Sequence, residues 1–214
     1  NDLMDLVQRM YQYLVKETMG TTKTVYQGHK INWLGKWPKV DFVTSFKKMT
    51  GIDLDKEVTE EQLRNFAREH KIPIEGKAGK GRLIDSIYKS TLRPTLIQPT
   101  FLINHPVEVS PLAKRMESNP KRVERVQIMV GGTEIGNGFS ELNDPIDQLS
   151  RFKEQQKLRK EGDEEAQMLD KDFVEALEYG MPPAAGFGLS QRLFAVIVDK
   201  PIRETVFSPP MKEE

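Results

Sequence analysis

Residues 126–144, VQIMVGGTEIGNGFSELND, are the part of the chain that most strongly constrains its fold. Residues 126–130 alternate Val or Ile with another side-chain type, the period-2 pattern of a half-buried strand. Gly131 and Gly132 accept the positive φ angles of a tight two-residue turn. The sequence therefore predicts a β-hairpin whose second strand runs through residues 133–142.

The two-residue turn determines which residues of the hairpin face each other. Val130 would pair with Thr133, and Met129 would pair with Glu134. Gln127 and Glu134 then lie on one face of the sheet as diagonal neighbours, within reach of a shared ligand.

The second strand carries a candidate binding surface. Asn137, Phe139 and Glu141 alternate along it, so they share one face. An amide, an aromatic ring and a carboxylate on one face suit a small cationic group. The alternative is an ordinary edge hairpin with solvated polar side chains, and the residues alone do not decide between the two.

Strand parity separates Glu134 from Asn137, because an ideal strand points them to opposite faces. Gly136 and Gly138 are the expected place for a β-bulge that turns both inward. Glycines inside a strand otherwise cost stability without packing against anything, which favours a binding role for the hairpin.

The run GGTEIGNGFSELNDPIDQLSRF resembles the amino-acid-binding strand of class II lysyl-tRNA synthetases. The segments IQPTFLINHPVEVSPLAKR upstream and DFVEALEYGMPPAAGFGLSQRLF downstream extend the resemblance over nearly the whole chain. It implies an α+β fold, a mainly antiparallel sheet flanked by helices in an incomplete class II aminoacyl-tRNA synthetase catalytic domain. Residues 1–214 would be the C-terminal part of that domain, with a helical insertion at about residues 41–92.

The resemblance also implies an activity and an amino-acid pocket. By similarity, Asn137, Phe139 and Glu141 form the lysine pocket, and Glu141 meets the substrate ammonium in a charge-assisted bond. The implied reaction joins lysine to ATP as lysyl-adenylate and then transfers the lysyl group to tRNA(Lys) in translation. The full-length protein would be a cytoplasmic homodimer with no membrane association.

A second informative segment resembles motif 3 of the same family, where glycines precede a helix that begins near an arginine. By similarity, Gly186, Gly188 and Arg192 bind ATP, and Glu134 helps to hold the Mg²⁺ that bridges the ATP phosphates. Gln127 stands where the family has a second acidic metal ligand, and an amide is a weaker ligand for a hard cation. Motif 3 is one residue short, which would rotate Arg192 by about 100° around the helix axis.

The chain lacks other parts of the family pattern. It contains no Phe-Arg-x-Glu run, the motif 2 pattern whose arginine contacts the α-phosphate, and it begins with Asn1. Motif 1 and the anticodon-binding barrel are not found in it either. We therefore expect a fragment that is inactive alone. Two alternatives stay open: a non-catalytic paralogue acting as a binding or regulatory module, and a ligase that lysylates a protein.

The composition excludes several other classes of protein. Lys plus Arg (32) equals Asp plus Glu (32), so the overall charge does not indicate a nucleic-acid partner. The absence of cysteine excludes disulfides, zinc-thiolate sites and thiol catalysis, and it fits a cytosolic protein. No apolar run approaches the roughly 20 residues that span a bilayer, and no signal peptide is visible. The three histidines show no metal spacing and are interpreted as structural or surface residues.

The remaining patterns predict helices joined by polar connectors. Helices are expected at residues 2–19, 42–50, 60–70, 82–90, 148–161 and 169–177, with Asn1 capping the first. A strand pair is expected within residues 22–34, and a strand containing Pro99 within residues 95–104. The charged helix at 148–161 is expected to be solvated. The loop at 72–81 is interpreted as a solvated connector in preference to a phosphate loop.

Overall fold

The computed structural model describes residues 2–74, 78–163 and 166–208. The predicted cap Asn1 and the middle of the predicted 72–81 loop lie outside these ranges. The helices are α1 (Asp2–Met19), α2 (Phe42–Thr50), α3 (Glu60–Glu69), α4 (Lys80–Ser90), α5 (Pro145–Lys160), α6 (Lys171–Glu178) and α7 (Arg192–Val198). The strands are β1 (Lys23–Tyr26), β2 (His29–Asn32), β3 (Lys39–Asp41), β4 (Thr100–Ile103), β5 (Arg115–Met116), β6 (Asn119–Val123), β7 (Arg125–Val130), β8 (Thr133–Ser140) and β9 (Ala185–Leu189).

A sheet in the order β3-β4-β7-β8-β9 forms the centre of the described structure. β3 runs parallel to β4, and the other neighbours are antiparallel. Strands β1 and β2 form a separate hairpin, as do β5 and β6. The mainly antiparallel sheet with flanking helices confirms the predicted α+β class.

The β7–β8 hairpin has the predicted turn and the predicted register at its tip. Gly131 and Gly132 have φ angles of 55° and 68°, which a two-residue hairpin turn requires. Met129 pairs with Glu134 across the hairpin. The position of Glu134 on the sheet is therefore fixed by local turn geometry.

A β-bulge interrupts β8 immediately after this pair. The register shifts so that Ile128 pairs with Gly136, and Ile135 is the extra residue. The bulge brings the side chains of Glu134 and Asn137 onto one face, as the sequence predicts. The prediction that the bulge lies at Gly136 or Gly138 is wrong, because the extra residue is Ile135, one position before Gly136.

The glycines in β8 permit close packing on the opposite face of the sheet. A Cβ atom at Gly136 would lie 2.6 Å from the Tyr11 hydroxyl oxygen and 2.7 Å from Cζ of Phe187. A Cβ atom at Gly138 would lie 2.8 Å from the carbonyl oxygen of Gly186. The expectation that these glycines pack against nothing is therefore wrong.

Two hydrophobic cores lie on opposite faces of the sheet. The first joins α1, α7 and the β1–β2 hairpin to the sheet residues Val126, Ile128 and Val130. The second joins α2, α3 and α4 to the sheet through Leu102 and Met129. Across residues 2–74, 78–163 and 166–208, no helix is long and apolar enough to cross a membrane.

Local capping signals position the helices of the second core. The side chain of Asp41 accepts a hydrogen bond from the Thr44 N–H at 2.8 Å, and Gly51 ends α2 with a φ of 76°. Thr59 and Gln62 form a capping box at the start of α3. The predicted helices in this region are confirmed, although α4 begins two residues earlier than predicted.

The prediction for the strand that contains Pro99 is wrong. Pro99 precedes β4, which begins at Thr100, because proline lacks the N–H that a ladder position needs. The charged helix α5 has the expected solvated face, but its other face buries Gln148, Arg151 and Phe152. Helix α5 buries an arginine because that side chain meets backbone carbonyls beside the site described below.

An ionic cluster ties β6 to the helical region. Arg122 contacts Oδ2 of Asp41 at 2.9 Å through NH1 and Oδ1 of Asp55 at 2.9 Å through Nε. The Arg122 bond lowers the pKa of Asp55, with burial acting against it. Burial also opposes ionisation of Asp41, but hydrogen bonds from Thr44 and Asn104 and the charge of Arg122 outweigh it and lower its pKa.

We expect Arg122→Ala to reduce the free energy of unfolding by about 1–3 kcal/mol, because two partly exposed carboxylates lose their cation. A lowered pKa stabilises the fold above the unfolded carboxyl pKa of about 4, and this contribution is lost as the pH falls through the folded values. Urea denaturation between about pH 5 and pH 2 should therefore show a weaker pH dependence in Arg122→Ala than in the unchanged chain.

The matched control is Lys157→Ala, which removes an exposed pair with Glu161 at 4.0 Å. It should change the free energy of unfolding by less than about 0.5 kcal/mol. Equal losses in the two variants would contradict a clamping role for Arg122.

Candidate functional site

Most of the residues singled out by sequence occupy one face of the β7–β8–β9 part of the sheet, and Arg192 lies outside it at the start of α7. Asn137 pairs with Gln127 on one side and with Gly188 on the other, and Phe139 pairs with Gly186. Directly paired residues share a face, so these five positions line one continuous surface. The tertiary structure thus brings the predicted amino-acid pocket next to the glycines of motif 3.

Gln127 is buried and makes hydrogen bonds at both ends of its amide. Its Nε2 donates to Oε2 of Glu134 at 2.7 Å. Its Oε1 lies 2.9 Å from Nε2 of His105 and 3.5 Å from the Tyr88 hydroxyl. The amide is therefore held by protein groups on both sides.

His105 supports the site from behind, which agrees with the prediction that the histidines are structural or at the surface. Its side chain is 1% exposed, and burial lowers its pKa to about 3, with the positive charge of Arg125 acting in the same direction. Its Nδ1 has no hydrogen-bond partner within the part of the chain that the structure describes. His29 and His70 are both exposed.

Arg125 connects the sheet to the loop before β5. Its Nε donates to Oδ1 of Asn137 at 2.8 Å, and its NH1 donates to the Val109 carbonyl at 2.7 Å. Burial lowers the pKa of this guanidinium, and the negative charges of Glu134 and Asp85 act against that effect. Because arginine only donates, Asn137 must turn its oxygen to Arg125, which leaves the Asn137 Nδ2 as a donor for a ligand.

Glu141 lies just beyond β8, where two backbone contacts position it. Its N–H donates to the Ala184 carbonyl at 2.9 Å, and it forms an isolated bridge with Ala113. Burial raises the pKa of the Glu141 carboxyl. A Cβ atom at Gly186 would collide with Oε1 of Glu141, so glycine leaves the space in which the carboxylate lies.

Helix α5 holds the loop that pairs with Glu141. Arg151, which is 4% exposed, donates to the carbonyls of Ala113 at 2.7 Å and Ser110 at 3.2 Å. Its NH2 also contacts Oδ2 of Asp147 at 2.6 Å. Through these hydrogen bonds, the buried Arg151 side chain holds the backbone of the loop at residues 110–113 in place next to Glu141.

A cleft of about 360 Å³ opens beside Gln127 and Glu134, between the sheet and helices α4 and α5. Some charged side chains in its wall form pairs, such as Lys89 with Asp85 at 2.6 Å. The predicted lysine-pocket residues do not line this cleft. The structure therefore places Gln127 and Glu134 in the cleft and the lysine-pocket residues beside it on the same face.

Arg192, the predicted ATP-binding arginine, begins α7 and is exposed. Its N–H donates to Oγ of Ser190 at 3.2 Å, and the Ser190 N–H donates to the Ile135 carbonyl at 3.1 Å. Among the residues that the structure describes, the Arg192 guanidinium has no hydrogen bond or ion pair. The Arg192 side chain is therefore available to a ligand, and no described contact holds it against Glu134.

The Gln127–Glu134 pair does not fit a site for a divalent cation. Mg²⁺ requires oxygen ligands, whereas Gln127 turns an N–H group toward Glu134. Within residues 2–74, 78–163 and 166–208, no three His, Cys, Asp or Glu side chains are grouped to hold a metal ion. The pair does not fit a metal ion because the Gln127 amide turns its N–H group, and not its oxygen, toward Glu134.

Sequence reasoning missed Arg125 and Tyr88 and gave His105 no place at the site. Arg125 could have been found, because it has the same strand parity as Gln127. His105 and Tyr88 come from other segments of the chain, and no local pattern indicates that they meet Gln127.

The chain is similar to known proteins over nearly its whole length. Residues 1–212 match the family model of tRNA synthetases class II (D, K and N). A lysine–tRNA ligase from Moorella thermoacetica is 43% identical over 98% of this chain, and one from Thermotoga maritima is 45% identical over 99%. A Bacillus subtilis lysine–tRNA ligase is 41% identical over 99% of this chain. The chain spans 43%, 42% and 43% of the length of these relatives, respectively.

Arg151→Ala should cost about 3 kcal/mol of unfolding free energy, because two carbonyls and a carboxylate lose a buried donor. The Leu142 N–H, which donates to the Leu112 carbonyl at 3.1 Å, should exchange with solvent faster in this variant. Hydrogen exchange measured by NMR would report both effects. Arg9→Ala is the control, since this exposed arginine makes, among the described residues, only a 3.3 Å side-chain bond to the Asp5 carbonyl. Unchanged exchange at Leu142 in Arg151→Ala would show that α5 does not hold the loop.

Proposed function

This chain belongs to the class II tRNA synthetases (D, K and N), and on that premise we propose that it is part of the catalytic domain of a lysine–tRNA ligase. The single observation that carries the proposal is the shared sheet face on which Asn137, Phe139 and Glu141 lie beside Gly186 and Gly188. We further propose that residues 41–92 are a helical insertion in this domain, supported by their packing as a separate core.

Lysine is the proposed amino acid because the face offers a polar partner for each end of the molecule. Glu141 is a partly buried carboxylate that would pair with the side-chain ammonium. Burial raises the pKa of the Glu141 carboxyl, and a nearby cationic ligand would act against this shift. Asn137 presents an N–H donor, which suits the carboxylate end of lysine rather than its ammonium.

ATP is the proposed cosubstrate. Gly186 and Gly188 would let the nucleotide approach the backbone closely, and Arg192 would contact its phosphates. Position 188 is open, since a Cβ atom there would meet only the Asn137 carbonyl oxygen at 3.8 Å. No step is assigned to a metal ion between Gln127 and Glu134, because the pair does not fit one.

The proposed chemistry depends on positioning. The lysine carboxylate attacks the α-phosphorus of ATP, a bond forms to give lysyl-adenylate, and pyrophosphate leaves. The terminal hydroxyl of tRNA(Lys) then accepts the lysyl group and AMP leaves. The residues described above would hold the reactants in line, and no covalent enzyme intermediate is needed. Such a protein would act in cytoplasmic translation, and we propose a homodimer for the complete enzyme.

A non-catalytic binding module is the second candidate, because two observations favour it. Gln127 places an amide, not a carboxylate, in the cleft. The Arg192 guanidinium makes no hydrogen bond or ion pair with any described residue. Such a module would bind lysine without forming adenylate. No contact in the described residues favours a ligase that lysylates a protein.

The decisive assay is lysine-dependent exchange of pyrophosphate into ATP by the complete gene product, together with equilibrium binding of lysine. Exchange supports the ligase, and lysine binding without exchange supports the binding module. If the protein neither exchanges pyrophosphate nor binds lysine, both candidates are excluded.

Glu141→Gln should lower kcat/KM for lysine in this exchange by at least about 30-fold, which corresponds to about 2 kcal/mol for one lost partner of a buried charge pair. The charge-matched control is Glu124→Gln, since Glu124 is exposed outside the face. A second variant, Gly186→Ala, should weaken lysine activation by at least about 10-fold, because its methyl group would displace the Glu141 carboxylate. If Glu141→Gln behaves like the control, Glu141 does not bind the ammonium.

A further inference from the structure

We propose that a hydrogen-bond relay from His105 through Gln127 holds Glu134 in place of a bridging divalent cation, so that this pair binds a ligand's own donor group directly. The inference concerns the protein's affinity for cations, and its tests do not depend on lysine activation.

The donor and acceptor roles along the relay follow from Glu134. A carboxylate only accepts hydrogen bonds, so Gln127 must turn its NH₂ group to Glu134 at 2.7 Å. The Gln127 carbonyl oxygen then faces His105, whose Nε2 at 2.9 Å must carry the proton. The opposite amide orientation would place two oxygens against each other, lose the bond to Glu134 and require His105 to carry its proton on Nδ1.

Burial makes this arrangement hard to reverse. Gln127 is 7% exposed and His105 is 1% exposed, so water cannot easily replace a broken bond on either side. The Tyr88 hydroxyl, 3.5 Å from the Gln127 oxygen, is also placed on the acceptor side. To offer its oxygen to a cation beside Glu134, the amide would have to give up its bond to Glu134, and His105 would have to move its proton to Nδ1.

The relay leaves Glu134 with one oxygen available. Only Oε2 of Glu134 accepts a bond within the described ranges, and the residue lines the cleft. Arg125 supplies a nearby positive charge that has no ion-pair partner among the described residues. The free Glu134 oxygen, with the Arg125 charge beside it, therefore suits a neutral donor of a ligand, such as a hydroxyl group.

Binding of Mn²⁺, a hard cation similar to Mg²⁺, tests the proposal through the electron paramagnetic resonance signal of the free ion. Gln127→Glu should bind Mn²⁺ at least about 10-fold more tightly than the unchanged chain, because two adjacent carboxylates then supply oxygen ligands. The double variant Gln127→Glu with Glu134→Gln should lose the gain. Gln155→Glu, which adds the same charge to the same cleft, should show no comparable gain.

Three outcomes would overturn the proposal. The first is a stoichiometric Mn²⁺ site in the unchanged chain that Glu134→Gln removes. The second is no gain in a folded Gln127→Glu variant, and the third is an equal gain in Gln155→Glu.

The His105 tautomer provides a test that needs no change at the site. In a chain carrying His29→Gln and His70→Gln, both exposed positions, His105 is the remaining histidine. Nitrogen-15 NMR should show the proton on Nε2, with no change on addition of MgCl₂. A proton on Nδ1 would mean that the Gln127 amide is reversed, and the proposal would then fail.

Discussion

The extra residue at Ile135 is the constraint on which the functional face depends. Side chains alternate along a strand, so without the bulge either Glu134 or the Asn137 set would point into the first core. Ile135 is fully buried on that core side, and its carbonyl accepts a 2.7 Å bond from the Tyr11 hydroxyl. Gly136 leaves space for that hydroxyl. Packing of α1 against the sheet thus stabilises the bulge that brings the polar residues together.

Two groups in the polar network on this face can serve only as a donor or only as an acceptor. They determine how the two amide side chains are oriented. Arg125 only donates, which turns the Asn137 oxygen inward and its N–H outward. Glu134 as a carboxylate only accepts, which turns the Gln127 N–H toward it and its oxygen toward His105. Both amides are therefore oriented before a ligand binds, and this lowers the cost of ordering the site.

Two arginines outside the face connect it to the surrounding helices. Arg122 joins β6 to the start of α2 and to Asp55, and Arg151 joins α5 to the loop beside Glu141. Each arginine is mostly buried and meets carboxylates or carbonyls, so its charge is compensated within the protein. The helical region and α5 are thereby fixed against the sheet on the side where the cleft opens.

The sequence by itself determined the features that arise from neighbouring residues. The Gly131-Gly132 turn, the alternation of Asn137, Phe139 and Glu141, and the helix caps follow from local backbone geometry, and the family resemblance followed from contiguous motifs. The tertiary structure decided which groups meet across the chain. His105 and Tyr88 lie 22 and 39 residues before Gln127, and their contacts exist only because β4, β7 and α4 pack together. The burial of Arg151 was equally unpredictable, since a charged side chain enters a protein interior only where distant carbonyls and carboxylates converge on it.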